Sequence, residues 1–464
     1  MNLPLSFIQH TQSILGDQWE AFEKALDAPS PVSIRLNPVK ARSKSFAWDG
    51  ITPVPWSESG FYLPVRPSFT FDPLFHAGVY YVQEASSMFV EQAFRQHVSG
   101  SVRVLDLCAA PGGKSTHIAS LIDRDSLLVS NEVITSRANV LLDNVMKSGF
   151  DNVVVTNNDP LALGRLGAAF DVILVDAPCS GEGMFRKDAG SVSEWSEGNV
   201  QLCCERQQRI VLDVWPALNE NGLLIYSTCT YNLRENEENV RWIMDNLGAE
   251  IVELQIDENW KISSSLSPES KVAVNRFLPH RTCGEGFFMA VLRKTSEAEE
   301  VAISKKKEKK QKAKPAPVPT GLERLVLHPE RYAFREINGK WRAYPPQVSA
   351  FLEQSEGLKI LNAGIFLGEQ KGKDLVVSHA LALSNDLNRA AFPVENVDRQ
   401  TAVNYLRKEP VVLPDAPTGY VLLAYEDSPI GFVKNIGNRT NNLLPNEWRI
   451  KSSYLPEQNE SWLK

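Results

Sequence analysis

Between residues 102 and 228 the chain repeats one pattern: a short apolar run, a turn carrying glycine or an acid, then a stretch with helical spacing. The runs are 102–108, 127–132, 152–156, 171–176 and 222–228, rich in Val, Leu and Ile. Runs this short and this apolar read as strands buried on both faces. A helix is expected at 115–122, with Ile118, Leu121 and Ile122 on one side, and another at 137–147, stopped by Gly149. A third is expected through Arg209, Ile210 and Leu218. Strands alternating with helices imply an α/β fold built on an open, mostly parallel sheet. A later run, 287–293, reads as an antiparallel strand at the sheet edge.

The rest of the chain bounds the setting. Its 464 residues suggest about three domains. No apolar run reaches membrane-spanning length, and the first residues, Met1 to Leu5, lack a basic leader. Six cysteines without a CxxC pair argue against a disulfide framework or a structural metal site, and a reducing cytoplasm is the expected compartment. The net charge of −7 opposes a protein coated in basic charge, but residues 305–314 hold seven lysines against one glutamate. Prolines 315, 317 and 319 follow, so 297–319 reads as an extended tether with some capacity to touch RNA.

In such sheets ligands bind beyond the carboxyl ends of the strands. The first strand runs into Asp106-Leu-Cys108-Ala109-Ala110-Pro111-Gly112-Gly113-Lys114-Ser115. The phosphate-loop pattern GxxxxGK[ST] fails there because its first glycine position is Cys108, and the fingerprint GxGxxG fails too. What remains is a Gly-rich turn with an acid, Glu132, at the offset where a carboxylate meets ribose hydroxyls. Asp159, after the third strand, can read an adenine amino group. A cofactor with ribose and adenine but no pyrophosphate fits this set, and S-adenosylmethionine is such a cofactor. Two further strand ends carry thiols, Cys179 beside Asp176 and Cys229 in Ser-Thr-Cys-Thr. Cys203, Cys204 and Cys283 read as ordinary small apolar residues.

The segments 106–114, 176–181 and 227–230 resemble the signatures of the Sun/NSUN family of RNA cytosine-5 methyltransferases. Residues 33–37 and 81–87 are similar to that family's N-terminal part, and Cys179-Ser-Gly-Glu-Gly-Met-Phe-Arg-Lys-Asp188 looks most like its RsmF branch. Residues 431–439 and 444–449 are similar to the PUA-like end of that branch. The resemblance implies a Rossmann-like class I methyltransferase sheet at 91–296, an accessory RRM-like domain at 1–90, an intermediate domain at 320–390 and a PUA-like RNA-binding domain at 391–464. It implies methyl transfer from S-adenosylmethionine to carbon 5 of cytosine in 16S rRNA, free or within the 30S subunit, by a monomer without metal. The same reaction on tRNA, and a catalytically silent ribosome-assembly factor, stay open as alternatives.

Carbon 5 of cytosine becomes nucleophilic once a thiolate adds at carbon 6. The residues alone do not rank the two thiols, since a Pro-Cys pair such as Pro178-Cys179 can also supply a nucleophile. The resemblance makes Cys229 the nucleophile, Asp176 the group holding the base edge, and Cys179 the thiol that assists release. It carries cofactor binding onto Cys108, Ala109, Ala110, Pro111, Gly112, Gly113, Lys114, Glu132, Arg137, Asp159 and Asp176. Arg186 and Lys187 are expected to hold phosphates next to the target base. Lys434, Arg439, Arg449 and Lys451, with Phe432 and Trp448 interleaved, form an RNA-contact candidate. Asn232 and Glu235 resemble a capping box, and Glu235, Glu237 and Glu238 read as acids suited to a helix N-terminus.

Overall fold

The computed structural model describes residues 1–269, 272–296, 318–372, 374–452 and 461–464. The lysine block of the expected tether lies outside the described residues. The central sheet has nine strands: β1 (Arg103–Asp106), β2 (Leu127–Asn131), β3 (Val153–Thr156), β4 (Phe170–Asp176), β5 (Leu218–Thr228), β6 (Ala249–Val252), β7 (Asn275–Phe277), β8 (Phe287–Lys294) and β9 (Ile360–Ala363). Their order is β6-β8-β5-β4-β1-β2-β3-β9, with β7 paired to β8. The five strands β5-β4-β1-β2-β3 are parallel. The chain moves outward from β1 to β3 and then returns to β4 on the other side. That reversal opens a crevice at the carboxyl ends of β1 and β4.

Alternation along each strand explains the layers. Leu105, Val129, Val154 and Ile173 face one side, against α3 (Glu197–Val214) and α4 (Asn239–Leu247). Val104, Leu128, Val155 and Leu174 face the other, against α1 (Gly113–Leu121) and α2 (Thr135–Ser148). Each such buried Val or Leu is worth about 1.5–3 kcal/mol, so both faces are committed to core.

Two expectations are corrected. The strand at 287–294 is antiparallel to β5, but β6 and β7 both pair with it, so it is internal rather than an edge. Its burial on both faces gives the reason, because six residues in a row are buried. Leu218 is not helical: α3 stops at Val214, and Leu218 starts β5, paired with Phe170.

The flanking regions grip this sheet. The N-terminal part has helices Leu5–Leu15 and Trp19–Leu26 and a four-stranded antiparallel sheet ordered Thr52–Pro53, Gly60–Leu63, Val32–Leu36, Tyr80–Val82. Phe7 packs edge-on against Phe185 and Trp195, in the segment that follows Cys179. The C-terminal part adds two further four-stranded sheets. Val403, Leu406, Val421 and Trp462 share a core with Ile34 and Leu74 of the N-terminal part. β9 also comes from the C-terminal part, and it runs antiparallel to β3, with Asn362 opposite Val155. No helix among the described residues is long and apolar enough to cross a membrane.

Candidate active site

β1 ends at Asp106, and the chain turns through 108–114 into α1. Gly112 takes φ 112°, a left-handed conformation open to glycine. The turn borders a cleft of about 350 Å³, a volume suited to a small ligand. Cys108, Ala109, Ala110, Pro111, Gly113, Lys114, Asp176 and Cys229 all line it, together with Tyr81, Met184, Lys187 and Glu285. The first-turn loop and the strand-end nucleophile candidate thus share one chamber.

The two thiols expected at successive strand ends meet. Cys179 Sγ lies 3.1 Å from Cys229 Sγ, and the Cys229 amide donates to Cys179 Sγ at 3.4 Å. The hydrogen bond with Cys229, reinforced by burial, pushes the Cys179 thiol far up, so it stays protonated. Asp176 is fixed from both sides: Lys114 Nζ donates to Oδ2 and Ser227 Oγ to Oδ1, each at 2.8 Å. Burial pulls the Lys114 ammonium down, but Asp176 outweighs it and the net shift is upward.

The cofactor candidates divide into two groups. Around the loop, Arg137 Nη2 donates to the Ala110 carbonyl at 2.9 Å, and its Nη1 lies 3.5 Å from Glu132 Oε2. Burial pushes the Cys108 thiol well up, which suits a neutral lining group. Asp159 stands apart: it is exposed and caps the short helix Pro160–Gly164 by accepting from the Leu161 amide at 3.0 Å. The donor set fits a cationic ligand bearing hydroxyls. Asp106 lines the cleft, and its Oδ1 is buried with no hydrogen-bond partner among the described residues. Burial raises its carboxyl to about 7, against the pull of the Ser115 hydroxyl.

Several residues that build the site escaped the sequence reading. Glu235 and Glu237 precede α4, as expected, but both are fully buried. Glu235 takes hydrogen bonds from the Ser180 amide at 3.0 Å, the Ser180 hydroxyl, Gln207 Nε2 at 2.7 Å and Asn232 Nδ2 at 2.8 Å. Half of the capping box forms, with the Glu235 amide on Asn232 Oδ1 at 2.9 Å, but the Asn232 amide goes to Glu182 instead, and a π-turn at Arg234–Glu238 precedes α4. Glu182 takes the amides of Tyr231 and Asn232 and the Trp195 indole. Glu237 pairs with Arg276, which also donates to the Tyr231 carbonyl at 2.7 Å. These three carboxylates brace the Cys179 loop and the Cys229 loop against each other and against the core. Gly183 lets the loops touch, since a Cβ there would stand 2.7 Å from the Cys229 carbonyl oxygen.

Some basic candidates are committed elsewhere. Arg186 is buried in an ion pair with Glu285 at 2.7 Å and donates to the carbonyls of Ala25 and Gly284. It is a structural tie, whereas Lys187, with its Nζ 3.7 Å from Glu285 Oε1, remains partly exposed at the cleft. Phe432 is buried core, and Trp448 donates to Asp143 at 2.8 Å while Lys147 Nζ lies over its ring and His379 packs against it at 5.0 Å, so both aromatics already have partners within the protein.

Comparison with known proteins adds three matches along the chain. The family described as 16S rRNA methyltransferase RsmB/F matches residues 97–293. The N-terminal domain of 16S rRNA methyltransferase RsmF matches residues 3–85, and the methyltransferase RsmF PUA domain matches residues 393–450. The ribosomal RNA small subunit methyltransferase F of Vibrio cholerae is 31% identical over 96% of this chain and 98% of its own length. That of Pectobacterium atrosepticum is 30% identical over 96% of each. A solved structure of a methyltransferase homolog protein from Pyrococcus horikoshii is 29% identical, with TM-score 0.53 over 62% of this chain and 94% of its own. NSun6 from Pyrococcus horikoshii with SFG, 20% identical, has TM-score 0.53 over 63% of this chain and 99% of its own, and shares the fold.

Proposed function

The chain belongs to the RsmB/F family of 16S rRNA methyltransferases, and from that premise we propose that it methylates carbon 5 of a cytosine in 16S rRNA through a covalent adduct with Cys229. The observation that carries the reading is that Cys229, paired with Cys179 at 3.1 Å, lines the same cleft as a doubly anchored Asp176 and the 108–114 turn. S-adenosylmethionine, when bound, supplies an electrophilic methyl group. The 108–114 turn, Glu132, Arg137, Asp159 and Asp176 are the residues assigned to hold it.

Cys229 donates its thiolate electron pair to carbon 6, and the ring electrons move so that carbon 5 can attack the methyl group. Asp176 orients the nitrogen-3 edge of the base, with Lys114 and Ser227 keeping the carboxyl in one rotamer. After transfer, water takes the carbon-5 proton, the freed electron pair restores the carbon 5–carbon 6 double bond, the carbon 6–sulfur bond breaks, and its electrons return to Cys229. The neutral Cys179 thiol, 3.1 Å away, then hydrogen-bonds the departing sulfur, which favours release. The target base reaches the sulfur by leaving its stack. Lys187 holds a neighbouring phosphate, and the region 391–464 binds RNA. The parts 1–90, 91–296, 320–390 and 391–464 act as accessory, catalytic, intermediate and RNA-binding regions in a cytoplasmic enzyme.

The test is covalent trapping with 16S rRNA fragments, 30S particles and bulk tRNA. Cys229→Ala is expected to abolish turnover and trapping. Cys179→Ala is expected to accumulate a protein–RNA adduct on a denaturing gel. Adduct from the first variant and none from the second would exchange the two roles, and labelling confined to tRNA would remove the ribosomal substrate.

A further inference from the structure

The third strand end carries Asn157 and Asn158, which no catalytic motif includes. Their surroundings connect distant parts of the chain. Asn157 Nδ2 donates to the carbonyls of Glu132 at 2.7 Å and Val133 at 3.0 Å, so it fixes the backbone that presents the Glu132 carboxylate. Its Oδ1 accepts from Thr135 at the start of α2. Asn158, through its amide, bonds Asn131 Oδ1 at 2.9 Å. These two asparagines therefore set the positions of Glu132 and, next in the chain, Asp159.

The asparagines are themselves held by one residue from some 200 positions away. Lys359 Nζ donates to Asn157 Oδ1 at 2.7 Å. The Lys359 carbonyl accepts from the Asn157 amide at 3.0 Å and from Asn158 Nδ2 at 3.1 Å. The Lys359 amide donates to Asn158 Oδ1 at 2.9 Å. β9 begins at the next residue and fixes Lys359 along the sheet by pairing with β3. A second tie holds the same region in place: Arg124 Nη2 donates to Asp386 at 2.7 Å and to Tyr332 at 3.0 Å, and the Tyr332 hydroxyl sits between the Asp151 and Asp386 carboxylates, with its one proton shared by them.

We propose that Lys359 is a positioning residue for the nucleoside end of the cofactor, so that the C-terminal region completes the cofactor site without touching the ligand. This rests on the assignment of Glu132 and Asp159 to the cofactor made above. The physical reason is preorganisation: a loop already held in its bound conformation loses less freedom on binding. With Lys359 in place, both asparagine side chains have fixed partners on either side. Without it, the 157–159 loop must be ordered by the ligand itself.

The experiment is titration calorimetry on the full-length protein with S-adenosylhomocysteine and with 5′-methylthioadenosine, which lacks the amino-acid end. Lys359→Met removes one bond and is expected to weaken both ligands about 3-fold to 10-fold. Lys359→Pro removes the ammonium and the amide donor and is expected to weaken both by more than 10-fold. Lys359→Arg keeps a donor and is expected to retain most of the affinity. Lys371→Met, an exposed lysine of the same region, should bind as wild type. In turnover, the KM for cofactor should rise while the KM for RNA stays constant. Unchanged affinity in both Lys359→Met and Lys359→Pro beside a wild type that binds overturns this inference alone. A loss seen with S-adenosylhomocysteine but not with 5′-methylthioadenosine also overturns it. A wild type that binds neither ligand removes the cofactor assignment itself.

Discussion

Glu235→Gln offers a sharp test of how the two thiol loops are held. Four donors converge on the Glu235 carboxylate, two of them from Ser180, the residue after Cys179. Glutamine keeps one oxygen and turns an NH2 toward two of those donors. Hydrogen bonds to a charged group are worth about 1.5–3 kcal/mol each, so losing two costs about 3 kcal/mol or more. The cost falls locally, because the carboxylate joins the 180 loop to Asn232 and to Gln207 on α3. Native-state hydrogen exchange at the Ser180 amide reads it directly, since that amide donates to Glu235. At 1.4 kcal/mol per decade, protection there should fall about 100-fold. Release of the Cys229 adduct should slow as Cys179 loses its fixed place. Protection within about 3-fold of wild type, with unaltered trapping kinetics, would refute the view that Glu235 sets the thiol geometry.

Three further outcomes are expected. Arg276→Met leaves Glu237 buried without its partner and should destabilise the catalytic region by about 3–5 kcal/mol, measured by urea unfolding. Acid should loosen the contact between the N-terminal part and α1. Burial holds His117 down at about 4, so stability is full above its ordinary 6.5 and is lost as pH falls from 6.5 toward 4. Glu91, whose burial is outweighed by the His117 and Ser57 hydrogen bonds, sits at about 2 and adds a second loss as pH falls from 4.5 toward 2; a flat melting temperature from pH 7 to 4 would contradict the first, and no further fall between pH 4.5 and 2 the second. Finally, Lys187→Ala should reduce the salt slope of RNA binding by about 0.7, one single-strand phosphate contact, while Arg186→Ala should leave the slope unchanged and lower the melting temperature.

The parts of this protein that were legible in its sequence are those whose information is local. Strand ends bearing Gly112, Glu132, Asp176, Cys179 and Cys229 could be placed because short apolar runs mark the strands and ligands gather beyond their ends. The unbroken run 287–292 also held a signal that was underused: burial on both faces belongs to an internal strand. Glu182, Glu235 and Glu237 were misread or missed because a carboxylate beside a motif looks the same whether solvated or buried. Only the fold brings Ser180, Trp195, Tyr231 and Arg276 to them. Lys359 lay furthest from reach, since nothing near it in the chain hints at Asn157 or Asn158.

The pairing of β9 with β3 also has a consequence for how the chain is made. A strand at the side of a sheet offers unpaired amides and carbonyls to any other extended chain, and proteins guard such rows. Here the guard is encoded about 200 residues after the strand it covers. At a synthesis rate of about 5–20 residues per second, the row on β3 waits about 10–40 seconds for its cover to emerge. A catalytic region cut off before residue 360 would keep that row open, and self-association through β3 is the failure such a fragment should show.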